Sequence, residues 1–418
     1  MGFAATISSV LLEYDTLKVV HIKSKKVGII NRLIQVVIIA YIIGYVIVYK
    51  KGYQDTEEVE GAVTAKLKGA AYPLNAGLAS RVWDAADYHI PPQQTGAFFV
   101  MTNMIITPDQ RNMTCPESLK NAKCYNASDC PSGQMVPAGN GLMTGRCIPY
   151  DSYDSDTRHD VYEEDFTNGS AVNKTCEIIG WCPLEKDVTP SPARLGNESM
   201  EFTVLIKNSI IFRKFDVRRR NIPSTSTEKW LKKCRYSPDH PQDKYCPIIK
   251  LYNIFKYAGV ADQWDDAAKN GAVISIDINW SCNLDHDEDE CNPKYTFRRL
   301  DNPDVALSPG FNFRYSQYHS DVNGEKTRTL IKAYGILFDI KISGEAGKFS
   351  PVPLLVNLGS GLALLSVATI MCDFVVLHFL KKRQFYHEKK FEDVEVQDDL
   401  LPEGLLSPSE RDSLIQKH

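Results

Sequence analysis

Residues 33–49 read LIQVVIIAYIIGYVIVY, and residues 352–380 read VPLLVNLGSGLALLSVATIMCDFVVLHFL. Each run is apolar enough to cross a bilayer as a helix, which takes about 20 residues. Lys18, Lys23, Lys25, Lys26 and Arg32 precede or open the first run, and Lys381, Lys382, Arg383, Lys389 and Lys390 follow the second. Because cationic flanks stay on the cytoplasmic side, this arrangement predicts two cytoplasmic termini and a large extracytoplasmic loop. A charged stretch precedes the first run and no small-x-small cleavage site follows it, so it reads as a retained anchor and not as a secretory signal. The net charge of -4 says little, since the two signs are sorted by compartment.

The loop carries its own marks of that compartment. It holds ten of the eleven cysteines, an even set that reads as five disulfides in an oxidising environment. Cys372 lies inside the second run and is expected to stay a free thiol. Asn112, Asn126, Asn168, Asn173, Asn197 and Asn279 each begin an Asn-x-Ser/Thr glycosylation sequon, and all six lie in the loop.

Within the loop, residues 202–207, 271–280 and 329–343 alternate branched, aromatic and polar side chains as strands do on half-buried faces. Helices are expected near 227–233 and 245–257. Cys234 with Cys246 and Cys282 with Cys291 are near neighbours suited to local pairing. The first six loop cysteines fall in a Gly/Ser/Asn/Pro-rich region that reads as a disulfide-stapled subdomain without a large core. The fold class is therefore two transmembrane helices flanking a large, β-rich, disulfide-stapled ectodomain. Two acidic tracts, 151–165 and Asp285-His286-Asp287-Glu288-Asp289-Glu290, read as solvated loops. The alternative is a divalent-cation or proton site using His159 or His286, but neither tract has EF-hand spacing. No metal-ligand set is assigned, and nothing in the chain points to nucleic acid.

The second run is more than an anchor. Asn357, Gly359, Ser360, Gly361, Ala363 and Ser366 are small or polar residues that helices use when they face protein or water. Val356, Ser360, Ala363 and Val367 share one helical face, which several subunits placed around an axis would turn into a narrow, weakly polar pore. Asp373 is an intramembrane acid, suited to attracting cations or to an intersubunit pair.

Two tripeptides in the loop, Lys66-Leu67-Lys68 and Asn312-Phe313-Arg314, put paired polar side chains on one face if extended. Such pairs suit a polyphosphate, with ammonium groups as point charges and guanidinium forking across two oxygens. No Walker A loop is present.

These residues sit in longer matching stretches. AKLKG (65–69), WDAADY (83–88), FFVMTN (98–103), KTCEIIGWCP (174–183), WSCNLD (280–285), YTFRRLD (295–301), SPGFNFRY (308–315), TLIKAYGILFDI (329–340) and NLGSGLALL (357–365) follow in order. Together with the ten loop cysteines they resemble the ionotropic purinergic receptors over nearly the whole chain, most nearly the fourth vertebrate subtype. The resemblance implies a homotrimeric ATP-gated cation channel and not an enzyme, with no cofactor and with ATP, free or with Mg2+, as ligand. It implies phosphate contacts from Lys66 and Lys68 of one subunit and Asn312, Arg314 and Lys332 of its neighbour. Thr203 and Leu205 would meet adenine and ribose. The implied disulfides are Cys115–Cys182, Cys124–Cys147, Cys130–Cys176, Cys234–Cys246 and Cys282–Cys291. Val356, Asn357, Ser360, Ala363 and Asp373 would belong to the pore and gate. The expected divisions are a cytoplasmic 1–27, a first span 28–49, an extracellular 50–350 with a Cys-rich head at 114–183, a pore-lining span 351–380 and a cytoplasmic tail 381–418.

Thr16 and Lys18 match a cytoplasmic motif linked to desensitisation, and Tyr386 with Lys390 one linked to surface retention. Lys381, Lys382 and Arg383 also suit anionic lipids such as phosphoinositides. The plasma membrane is the expected location, with an endolysosomal membrane as the alternative, and Glu410–Ile415 fits an acidic-dileucine sorting pattern. The chain departs from the family pattern in a longer, acidic stretch between Cys147 and Cys176 and in Tyr45, where close relatives have Trp. An ectonucleotidase of the apyrase type shares the topology, but its Asp-x-Gly-Ser loops are missing. The His-Gly dipeptide of epithelial sodium and acid-sensing channels is missing as well.

Overall fold

The computed structural model describes residues 25–72, 82–91, 94–150, 173–185, 188–224, 226–304, 309–320, 324–379 and 383–390. The acidic tract 151–165, Asn168, Lys381, Lys382, the Thr16/Lys18 motif and the dileucine pattern lie outside them. The chain forms two compact units, residues 1–55 with 349–418 and residues 56–348.

In the first unit, Lys25–Ala40 is α-helical and Tyr41–Tyr49 continues it as a π-helix. The second apolar helix, Pro351–His378, opens on proline, whose fixed φ suits the first helical turn. Both are apolar nearly all round, as expected of helices solvated by lipid. They pack on each other through one stripe of the second helix, where Gly361, Ala368, Cys372 and Val376 are buried. A Cβ at Gly361 would lie 2.9 Å from Ile42, so the glycine sets the close approach. Cys372 is a free thiol within that stripe.

The second unit is built from β1 (Gln54–Glu58), which starts at its boundary, β2 (Glu60–Lys68), β3 (Ala97–Pro116), β4 (Gly141–Pro149), β5 (Lys174–Cys182), β6 (Thr203–Phe212), β7 (Val217–Arg220), β8 (Ile248–Lys250), β9 (Ala272–Asn279), β10 (Cys282–Asn283), β11 (Lys294–Arg299), β12 (Asn312–Ser320), β13 (Lys326–Ser343) and β14 (Glu345–Phe349). The largest sheet has the order β11-β9-β13-β3-β5-β4, with β12 also on β13. A second sheet runs β2-β6-β7, with β8 also on β6, and a third runs β1-β14-β10.

Along one edge β13 changes partner. Its first half pairs antiparallel with β12, and from Ile336 on it pairs parallel with β9. The change needs three backbones to meet without side chains. Gly271 (φ 90°) and Gly310 (φ 75°) lie where a Cβ on either would overlap the other's neighbouring backbone. Gly335 N–H closes the junction by donating to Phe311 O at 3.3 Å. The glycine of SPGFNFR is thus required for β12 to start at Asn312.

The main core fills the space between the sheets with Phe98, Phe99, Met101, Phe212, Trp264, Trp280 and Phe338, all fully buried. A separate small cluster around Cys124, Cys130, Cys176 and Ile178 holds the Cys-rich region together. That region is stapled, as the composition implies, but it also contains the β3-β5-β4 part of the large sheet, which its irregular sequence hides. Disulfides join Cys115 to Cys182, Cys124 to Cys147, Cys130 to Cys176, Cys234 to Cys246 and Cys282 to Cys291, the pairs named above.

The helix expected over 245–257 is shorter. Ile248–Lys250 pairs with β6 as a strand and the helix begins at Leu251, because Pro247 and two β-branched isoleucines favour extended backbone. The helix Trp264–Asn270 was not expected, and its Trp264 indole donates to Gly196 O at 3.1 Å. Trp264→Ala removes that bond and leaves a large cavity, so it lowers stability by about 3–5 kcal/mol. Thermal unfolding of the purified protein reads this as a clear drop in midpoint.

Candidate functional site

β2 and β6 pair antiparallel with Lys66 opposite Leu205 and Lys68 opposite Thr203. Directly opposed residues share a face. The two lysines and the two proposed nucleoside contacts therefore stand in one cross-strand block, with Leu67 buried behind it. Lys207 and Lys250 share this face, since Lys207 lies opposite Thr64 and Lys250 opposite Thr203. Lys250 is held by Glu201 at 2.5 Å.

The AKLKG strand ends against an aromatic clamp. Tyr88 stacks on Phe202 at 4.3 Å, and its hydroxyl donates to Gly69 O at 3.0 Å. Burial, helped by nearby Asp84, pushes that phenol up to about 12, so it remains a proton donor at physiological pH. The Phe202 ring occupies the space a Cβ at Gly69 would take. WDAADY thus anchors the strand that carries the lysines.

On the large sheet, Arg314 of β12 lies opposite Lys332 of β13, and Asn312 shares the face two residues away. Between the cations sits Glu185, three residues beyond Cys182. Arg314 donates to both of its oxygens at 2.6 and 3.0 Å, and Lys332 Nζ lies 3.7 Å away. Lys332 is buried, with Nζ 5.1 Å from the Tyr334 ring centroid. A buried ammonium is costly unless paired, so Glu185 compensates it. Glu185 escaped sequence reading because it lies 129 residues from Arg314. Locally it is only one of two acids in the short PLEKD stretch after Cys182.

In the second apolar helix, Val356, Ser360, Ala363 and Val367 are exposed and point away from the stripe that meets the first helix. The Ser360 hydroxyl donates to Asn357 O at 3.0 Å, which leaves the face only weakly polar. Asn357 lies off this face, its side chain donating to Gly52 O at 2.6 Å. It ties the helix to the end of the first one. Asp373 is half-buried. Asn112, Asn126, Asn173 and Asn197 are exposed, and Asn279 is half-buried. Ser128 and Ser281 each donate a hydroxyl hydrogen bond to the asparagine of their own sequon.

Two helices long and apolar enough to cross a membrane flank, in sequence, a β-rich region with five disulfides. The family model "ATP P2X receptor" matches residues 12–393, and the chain belongs to that family of ligand-gated ion channels. It is 44% identical over 398 residues to P2X purinoceptor 4 of Bos taurus, covering 94% of this chain and 96% of that one. Against P2X purinoceptor 5 of Homo sapiens the identity is 42%, covering 94% and 84%. The crystal structure of a Gulf Coast tick P2X receptor, determined with ATP and Zn2+, superposes with a TM-score of 0.71 at 42% identity, covering 83% of this chain and 99% of that one. The chicken ATP-gated P2X7 receptor channel with the competitive antagonist TNP-ATP gives 0.68 at 34%, covering 84% and 99%.

Replacing Glu185 by Gln removes the carboxylate that pairs with Arg314 and Lys332, the cations expected to meet phosphate. The half-maximal ATP concentration is expected to fall about three- to tenfold, the size of one charge-assisted bond after partial compensation. Concentration–response recording checks it.

Proposed function

We propose that three copies of this chain form a cation channel in the plasma membrane, opened by extracellular ATP and conducting Na+, K+ and Ca2+. The observation that carries the reading is the pair of half-sites: a lysine block beside Thr203 and Leu205, and an Arg314–Lys332 pair held by a replaceable carboxylate. ATP would lie between subunits, its phosphates drawn by Lys66 and Lys68 of one chain and by Asn312, Arg314 and Lys332 of the next. The base and ribose would rest on Thr203 and Leu205. Each charge-assisted contact contributes about 1.5–3 kcal/mol, so a handful offsets the cost of parting Arg314 from Glu185. No covalent bond changes.

Opening follows if ATP binds the state with closed clefts and an open pore more tightly than the resting state. Val356, Ser360 and Ala363 line the gate in this reading. Asn357 braces the outer helix ends, a revision that its bond to Gly52 supports. Asp373 attracts cations near the inner end. Both termini are cytoplasmic, supported by the cationic flanks of the two helices. Exposed sequon asparagines carry glycans, with Asn112, Asn126, Asn173 and Asn197 the readiest sites. Residues 383–390 form a short basic helix, and its Arg383, with Lys381 and Lys382 beside it in sequence, suits phosphoinositide headgroups. The nucleotide enters free or with Mg2+. The same chain accommodates mixed trimers with related subunits.

Whole-cell recording with ATP applied outside tests the reading. Wild type is expected to give a fast inward cation current. Lys68→Ala is expected to need at least about tenfold more ATP, as loss of a phosphate contact implies. Silence from confirmed surface trimers would overturn the proposal, whereas retention in internal membranes would move it to the endolysosomal alternative.

A further inference from the structure

Behind the lysine-bearing sheet lies a polar network that the nucleotide site does not use. β6 turns Thr203 and Leu205 outward and Val204, Ile206, Asn208 and Ile210 inward. Asn208 is the only polar residue in that inward row, and it is 1% exposed. Its Oδ1 accepts the Trp280 indole N–H at 2.7 Å, and its Nδ2 donates to Ala62 O of β2 at 3.0 Å. Its backbone N–H donates to Asn221 Oδ1 at 2.8 Å. The Asn221 amide in turn donates to Ile206 O at 2.7 Å and to the Tyr295 hydroxyl at 2.9 Å. Both ends of the Asn208 amide are matched, which fixes its orientation.

Trp280 stands just past β9 and is fully buried. Its backbone N–H donates to Ser343 O at 2.7 Å. Gly344 follows at φ 124°, packed so closely on the Trp280 backbone that no Cβ would fit. Gly344 O accepts from Val59 N–H at 3.0 Å, just before β2. Ser343 ends β13, and Gly344 joins it to β14, which leads toward Pro351, where the second apolar helix begins. The Asn208–Trp280 side-chain bond and the Trp280–Ser343 backbone bond together join the back of the strand bearing Thr203 and Leu205 to the end of β13.

An apolar pair of equal volume would fill this space as well, since burying an amide and an indole N–H brings no net gain over good packing. The polar pair adds direction. A displacement of β6 is passed to Trp280 along a fixed donor–acceptor line, where an apolar contact could slide.

We propose that Asn208 and Trp280 are positioning residues for gating, transmitting the movement of β6 on nucleotide binding to the Ser343–Gly344 end of β13. This rests on the channel reading above. The test compares wild type, Trp280→Phe, Asn208→Ala and the double variant, with surface trimers quantified for each. Trp280→Phe keeps a large ring and deletes the N–H, so it decides alone if Asn208→Ala fails to assemble. Two quantities are measured: single-channel open probability at saturating ATP, and binding of the non-activating analogue TNP-ATP to the resting trimer.

The expected result is an open probability reduced about three- to tenfold in each single variant, with TNP-ATP binding unchanged. The double variant should be no worse than the poorer single one, because both remove the same bond. Unchanged open probability, additive losses, parallel loss of TNP-ATP binding, or failure of Trp280→Phe to form surface trimers would each overturn the inference. A silent wild type would instead overturn the channel reading on which it rests.

Discussion

The antiparallel pairing of β3 with β13 is the constraint on which the ectodomain depends. The two strands are 20 and 18 residues long, and their shared ladder runs from Arg328↔Gln110 to Asp339↔Ala97. Phe98 stacks on Phe338 at 4.6 Å across it, and Val100, Met104, Ala333 and Ile336 bury the rest. The Arg314–Lys332 half of the candidate site hangs from this pair. β3 continues into the disulfide-rich subdomain by pairing with β5. β13 carries Lys332 in its first half, aligns Arg314 beside it through β12, and ends at the segment leading to the second apolar helix. Burial of a continuous apolar ladder is non-directional, but its register is not, since a one-residue slip would turn Lys332 to the opposite face.

Charge balance governs the resting site. Lys332 is buried, Arg314 is half-exposed, and the Glu185 carboxylate lies against both. An uncompensated ammonium in that position would cost several kcal/mol. The arrangement holds two cations ready while keeping them paired. A polyphosphate brings more charge and more acceptors than one carboxylate, so exchange favours nucleotide over a singly charged anion. Among the described residues no ion pair is seen at Lys66 or Lys68, which are exposed on β2.

Much of this was legible in the sequence because the relevant signals are local. Long apolar runs mark the helices, alternation marks β6, β9 and β13, and the small residues from Val356 to Val367 mark one helix face. Val356, Ser360, Ala363 and Val367 are exposed in the fold, as is most of that helix away from its buried stripe. What local pattern cannot supply is pairing. Lys66 and Leu205 are neighbours only through the β2–β6 register, and Trp280 reaches Asn208 across 72 residues. Glu185 was invisible for the same reason. Helix over 245–250 was a misreading of a short run whose strand character comes from its partner β6. Asn357 was grouped with the pore by its position in the span, whereas its amide is drawn to the free Gly52 carbonyl at the end of the other helix.

The most direct test of the account is a structure of the trimer bound to ATP with its pore open. Phosphate density is expected between Lys66 and Lys68 of one protomer and Asn312, Arg314 and Lys332 of the next, with adenine on Thr203 and Arg314 parted from Glu185. Nucleotide bound elsewhere, or an open pore with the Arg314–Glu185 pair intact, would contradict it.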